Sequence, residues 1–353
     1  MFRLTHNCSL PLPAQSLGLS RSCWPRLLGL LCAVAFLLLM VVLSLSLGAK
    51  SLPAATVLEA LNGQCATADC IIVTEARLPR TLIGVLAGMA LGLAGALMQT
   101  LTRNPLADPG ILGVNSGAGF AVVLGITFFG ATDVSHYLWF AFAGALFASL
   151  LVALVGALGG SRLSPVRLTL AGVALAAVLE GLSSGIALLN PQVFDQLRFW
   201  QAGSLDVQNM AVVRTVALPI LLGTGITLWL TKALNSLSMG NELAAALGTG
   251  IVRTQLIGLL AITLLCGAAT AAVGPIAFVG LMMPHIARRL SGPELGWMLP
   301  WTLVLTPILL LAADLLGRFL VPGELQVSIV LSLIGAPVLI MLVRQRRMFR
   351  RGG

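Results

Sequence analysis

The chain is short of charge. Asp, Glu, Lys and Arg make up only 9% of its 353 residues, whereas a water-soluble domain needs about a quarter to cover its surface. With 58% hydrophobic residues and a mean hydropathy of +1.00, this shortage excludes a soluble fold and predicts an integral membrane protein. What charge there is leans one way, with 21 Lys and Arg against 12 Asp and Glu. The arginines cluster between apolar segments and form no continuous basic face. That pattern marks loops drawn to anionic headgroups, not a nucleic-acid surface.

A phosphate-binding loop is also missing. Gly48-Ala49-Lys50-Ser51 comes near, but the loop requires Gly directly before the Lys and another five residues earlier. Ala49 and Ser44 occupy those places. ATP hydrolysis by that route is excluded, so energy must come from a partner or an ion gradient. Cys8, Cys23, Cys32 and Cys266 show no metal-ligand spacing, and no metal or cofactor bound by this chain is expected. No Ser/His or Glu/His pair stands at helical spacing within the spans, which argues against an intramembrane protease. His285 fits packing or capping better than ligation.

Apolar windows are present in number. They fall near 27–47, 81–101, 110–130, 138–159, 168–189, 211–231, 252–273, 276–290, 298–317 and 326–343. By the twenty-residue criterion they predict an all-α polytopic membrane protein with about ten transmembrane helices. The expected organisation is a tail over 1–26, a single transmembrane domain over 27–343 and a basic tail over 344–353. The first window exceeds a signal-peptide core and lacks a cleavage motif, so it is expected to stay as a helix. An even count puts both termini on one side. Arg344, Arg346, Arg347, Arg350 and Arg351 then predict that side to be cytoplasmic. Arg103, Lys232 and Arg253 join it, whereas Asp69, Asp206 and Glu324 fall outside.

Arg80–Ala87 (RTLIGVLA) has an echo in Arg253–Ala261 (RTQLIGLLA). The first enters its helix from outside and the second from inside, as two inverted half-repeats would; chance likeness between Leu/Gly-rich helices is the alternative. Gly84, Gly88 and Gly92 mark one face of the second span for close helix packing. Pro105, Pro109, Pro275 and Pro337 predict discontinuous helices.

Some residues break the pattern. Arg77, Arg80 and Arg318 lie on the wrong side for the charge rule. They serve either as local partners, Arg318 for Asp314 and Arg77 for Glu75, or as bidentate donors to an external partner's carboxylates. The loop 234–248, LNSLSMGNELAAALG, is longer than a hairpin needs and carries a short helical pattern that Asn235 or Ser238 would cap. It is either a docking element or an interfacial helix. Glu180 sits in mid-span, lining a path or held structurally. Cys65 and Cys70 bracket a short outer loop where a disulfide is permitted.

The blocks RLPRTLIGVLAG, GALMQTLTRNPLADPGILGVNSGAG, LAGVALAAVLEGLSSGIALL, GPIAFVGLMMPHIARR and GAPVLI, in this order, resemble the iron-siderophore/cobalamin permease family of ABC importers. The likeness covers Gly48 to Arg346. It implies a type II importer permease fold with ten helices per subunit, paired with a second permease subunit around the substrate path. It further implies a periplasmic binding protein that delivers cargo and two cytosolic ATPase subunits that use ATP and Mg²⁺. The family's docking arginines fall on Arg77, Arg80 and Arg318. Its ATPase-coupling element falls on Leu234, Asn235, Ser236, Leu237, Ser238, Met239, Gly240, Asn241, Glu242, Leu243, Ala244, Ala245, Ala246 and Leu247. Pro165 and Val166 match an inner-gate position where some members carry hydroxyl residues, a departure that weakens this assignment. The wording of GQCATADC and SPVRLTLAGVALAAVLEG points to a ferric catecholate siderophore as cargo, carried across a bacterial inner membrane by alternating access. The alternatives are haem, cobalamin or another siderophore as cargo, or a proton-coupled secondary transporter working through Glu180.

Overall fold

The computed structural model describes residues 23–48, 50–63, 67–131, 134–157, 165–321 and 324–351, and among them every regular element is helical. In chain order the helices are α1 (Cys23–Ser46), α2 (Ala54–Leu61), α3 (Ala68–Ile71), α4 (Leu78–Thr102), α5 (Val114–Phe129), α6 (Val134–Ala157), α7 (Pro165–Leu189) and α8 (Pro191–Gln201). They continue as α9 (Met210–Trp229), α10 (Thr231–Ser238), α11 (Asn241–Ala246), α12 (Ile251–Val273), α13 (Val279–Ser291), α14 (Leu295–Leu320) and α15 (Val327–Arg351). All ten apolar windows become helices: α1, α4, α5, α6, α7, α9, α12, α13, α14 and α15. Among the described residues, seven helical stretches are long and apolar enough to cross a membrane, and Val114–Phe129 and Val327–Met341 are shorter apolar helices.

Two helices carry the centre. In α4 and α12, 78% of the most apolar window is buried, against 11% in α1 and 17% in α7 at the rim. α4 and α12 run in opposite directions. Leu101 near the end of α4 packs on Gly258 near the start of α12, while Gly84 near the start of α4 meets Leu205, whose neighbour Ser204 donates to the Val273 carbonyl that ends α12. α4 packs on α12, α13 and α14, and α12 in turn packs on α4, α5 and α6. Neighbours exchange in this way when two halves repeat.

The small residues of α4 set its contact with α14. A Cβ on Gly88 would stand 2.6 Å from the Pro307 Cα, and Gly84 and Gly92 face Leu311 and Thr306. Lipid supplies no hydrophobic drive between helices, so this close approach is a main source of cohesion.

The predicted breaks occur at two of the three places. The chain leaves α4 through Arg103, in a left-handed conformation, and a 3-10 turn at Pro109–Leu112. Gly274 (φ 74) and Pro275 separate α12 from α13. Pro337 departs from expectation because α15 runs through it. Pro284 inside α13 has no N–H to offer the Gly280 carbonyl four residues back. The Gln99 amide of α4 donates to that carbonyl at 3.2 Å and to Leu281 O at 3.1 Å. An interrupted helix is thereby satisfied from its neighbour.

Candidate functional site

The predicted site residues form three groups. The first lies where α1 ends and α4 begins. Residues 72–77 form a π-helical turn that leads into α4, setting Arg77 against the last turn of α1. Arg77 turns away from Glu75 and donates instead to the carbonyls of Leu45 (2.8 Å), Ser46 (2.7 Å) and Lys50. The pairing with Glu75 is therefore corrected: the unfilled carbonyls of a helix end attract the guanidinium more strongly than a solvated carboxylate does. Arg318 closes the same helix end from α14, donating to Ser44 O at 2.9 Å and Leu47 O at 2.7 Å.

Asp314 sits between two of the arginines. It accepts from Arg318 at 2.5 Å, the predicted pair one turn apart, and from Arg80 at 2.8 Å. Arg80 adds bonds from Nε to both Asp314 oxygens at 3.1 and 3.2 Å. Its remaining amino group reaches Glu324 at 2.7 Å and Asp206 at 3.8 Å. These residues line an open cavity of about 480 Å³ together with Lys50, Ser204, Gln208 and Gln326. All three arginines thus converge on one place, but two of them are committed to α1.

Nearby, α2 and α3 pack a small core of Leu52, Val57, Ala60, Cys70 and Val73 on Leu45. Cys70 is disulfide-bonded; Cys65, its expected partner, lies outside the described residues.

The second group is the hairpin of α10 and α11. Leu234 and Leu237 are buried, and Leu237 joins Ala244, Ile251 and Leu101 in an apolar cluster. Met239, Leu243 and Leu247, spaced four apart, stay exposed. The capping expectation needs correction. Gly240 precedes α11 with no side-chain cap, and Ser238 donates to the Asn235 carbonyl. Asn235 accepts instead from Leu295 N–H at 3.0 Å, capping α14, 60 residues away, because the hairpin folds against the start of that helix. Behind the hairpin an open cavity of about 680 Å³ is lined by Trp229, Lys232, Ser236, Gly248 and Arg253.

The third group lies on α7. Glu180 is exposed on the isolated subunit and accepts from Ser116 of α5 at 2.9 Å. Gly181 and Gly185 beside it face open space. Pro165 opens α7, where its missing N–H costs nothing, and Val166 is exposed next to it. Pro165 shares a small cavity with Leu101 and Thr102 at the end of α4, and Leu101 also packs on the hairpin.

Between α4 and α5, Asp108 caps the 3-10 turn by accepting from Gly110 N–H at 2.8 Å. Burial pushes its carboxyl above the ordinary 3.8, and the Gly110 bond partly offsets that rise. Among the described residues no group of three or more His, Cys, Asp or Glu is placed to hold a metal ion.

Sequence reasoning missed the joint role of Asp314, the contribution of Glu324 and Asp206, and the reach of Asn235. Only the Asp314–Arg318 spacing carried a local signal.

A family profile described as the FecCD transport family matches residues 36–345. The chain is 65% identical over 325 residues, 91% of its length and 96% of the relative's, to FepD, the ferric enterobactin transport system permease protein of Escherichia coli K12. It is 36% identical to FepG, a second ferric enterobactin permease protein of that organism, covering 85% of this chain and 91% of the relative. Among solved structures it is similar to an inward-facing transporter of the metal-chelate ABC type. The TM-score is 0.77 at 30% identity, with 90% of this chain and 99% of the other covered.

Proposed function

Because the chain belongs to the FecCD transport family, and is thereby a permease subunit of an ABC importer and not itself catalytic, we propose that it carries a ferric catecholate siderophore of the enterobactin type. The 65% identity to FepD over nearly the whole of both chains supports that cargo. In this reading the partner is a second permease subunit resembling FepG. Two ATPase subunits supply the energy, and a binding protein delivers the iron chelate. Both termini face the cytoplasm.

The structural observation that carries the reading is the face of α7. A carboxylate exposed in mid-span cannot rest against lipid without large cost. Glu180, Gly181 and Gly185 therefore belong against a second subunit or in a wet path between two subunits, with Pro165 and Val166 at one end. The hairpin at 234–247 suits the other requirement, a movable contact. Met239, Leu243 and Leu247 leave apolar side chains exposed on and beside α11, a surface that another protein can cover. Closure of the ATPases would press on this surface and shift α10, whose Asn235 holds the start of α14.

At the opposite end Arg77, Arg80 and Arg318 would mark where the loaded binding protein sits. The chain's part is to bind, gate and transmit; no bond is made or broken on it.

The test is uptake by proteoliposomes holding the complete complex and the loaded binding protein. ATP-dependent accumulation of the ferric catecholate should vanish when the ATPase is inactivated by substitution. Uphill accumulation that survives, or that follows an imposed proton gradient, overturns the proposal.

A further inference from the structure

The three arginines are not equivalent. Arg77 is buried, the Arg318 side chain is 2% exposed, and both spend their donors on the end of α1 and on Asp314. Arg80 alone has an amino group directed to exposed carboxylates: Glu324 at 2.7 Å and Asp206 at 3.8 Å. Those two differ sharply from Asp314. Asp314 is 1% exposed, Glu324 42% and Asp206 51%.

We propose that Glu324 and Asp206 are placeholder carboxylates: they occupy the outward donors of Arg80 until a carboxylate of the docking partner displaces them. The proposal rests on the docking role suggested above and names the residues that regulate it.

Three features support the assignment. A partly buried guanidinium left without an acceptor is costly, so Arg80 needs an occupant when no partner is bound. An exposed ion pair is weak and is exchanged readily, unlike the buried pair with Asp314. Glu324 also adopts φ 58, a left-handed conformation that non-glycine residues rarely take.

The charge count agrees. Arg77, Arg80 and Arg318 face Asp206, Asp314 and Glu324 across the cavity, and Lys50 is taken by Asp69 at 2.6 Å. With its placeholders in place the surface is close to neutral and attracts an acidic partner weakly at long range. Neutralising them uncovers positive charge and should speed association.

The test uses the complete transporter in nanodiscs, with the substrate-loaded binding protein as the probe. Docking is followed by interferometry at two salt concentrations. Glu324→Gln combined with Asp206→Asn should tighten docking about two- to fivefold at low salt, and the gain should shrink at high salt. Arg80→Lys, which keeps a cation on Asp314 but cannot fork to a second carboxylate, should weaken docking; the melting temperature of each variant checks folding. Unchanged or weaker docking in the double variant, with Arg80→Lys still impaired, overturns the placeholder role and leaves the docking role standing. Docking insensitive to Arg80→Lys and to the double variant overturns both.

Discussion

Arg80 and Asp314, 234 residues apart in the chain, meet in a forked pair whose closest approach is 2.8 Å. Asp314 is also held by Arg318, so one buried carboxylate bridges two guanidiniums from different helices. Replacing Asp314 with Ala leaves two cations facing each other without the carboxylate they share. Removing one partner of a buried pair costs about 3–5 kcal/mol. We expect a fall of that order in denaturant unfolding of the detergent-solubilised protein. Adding Arg318→Met should cost less than the sum of the single changes, and strict additivity would show that the pair is not coupled.

Gln99 stands in for the donor that Pro284 lacks. Gln99→Leu keeps the volume and removes both bonds to the Gly280 and Leu281 carbonyls. The expected loss is about 1–3 kcal/mol. Hydrogen exchange should locate it at the start of α13, and unaltered protection there would refute this account.

Two glycines provide a contrast. A methyl on Gly88 would press on the Pro307 backbone, whereas one on Gly181 meets nothing in the isolated subunit. Gly88→Ala should destabilise by about 1–3 kcal/mol and lower the yield of folded protein. Gly181→Ala should leave the isolated subunit unaffected. A bulkier Gly181→Leu is expected to impair association with the second permease subunit, measured by co-purification, or uptake.

Asn235→Ala removes the cap on α14, worth about 1 kcal/mol, while Asn235→Asp preserves it. Transport that fell with Ala and recovered with Asp would tie the loss to the cap. Equal activity of all three proteins would count against the hairpin acting through α14.

Asp108 gives a pH dependence. Its folded carboxyl holds its proton more tightly than the unfolded chain does. The resulting contribution to stability is complete below the ordinary value of 3.8 and is lost as pH rises through the raised folded value. Asp108→Asn keeps an oxygen for the Gly110 N–H and removes the charge. We expect it to be more stable than the parent at neutral pH, with the difference closing toward pH 4. A gap independent of pH would assign the effect to something other than burial of the carboxylate.

The helices themselves were legible because the bilayer demands long apolar windows, and all ten windows became helices. The interruptions at 103–113 and 274–278 were legible from Pro and Gly, since those residues restrict the backbone locally. Pro337 was misread because a proline within a long helix can be absorbed when the turn before it has other support. The arginines were visible as exceptions to the charge rule, but their acceptors were not. Asp314 and Glu324 flank the end of α14 while Asp206 precedes α9, and no local spacing encodes their meeting at Arg80. Asn235 failed for the same reason: a cap was foreseen, and the helix it caps begins 60 residues later.

One helix, α14, has its first N–H held by the hairpin residue Asn235 and, near its last turn, carries the acid that ties Arg80 and Arg318. At about 1.5 Å per residue its 26 residues reach roughly 39 Å. Each tip of this lever is fastened to other parts of the bundle, and Pro300 and Pro307 between them are where it can bend. The hairpin and the arginine cluster are therefore joined by one continuous helix within a single protomer, before any neighbour is considered.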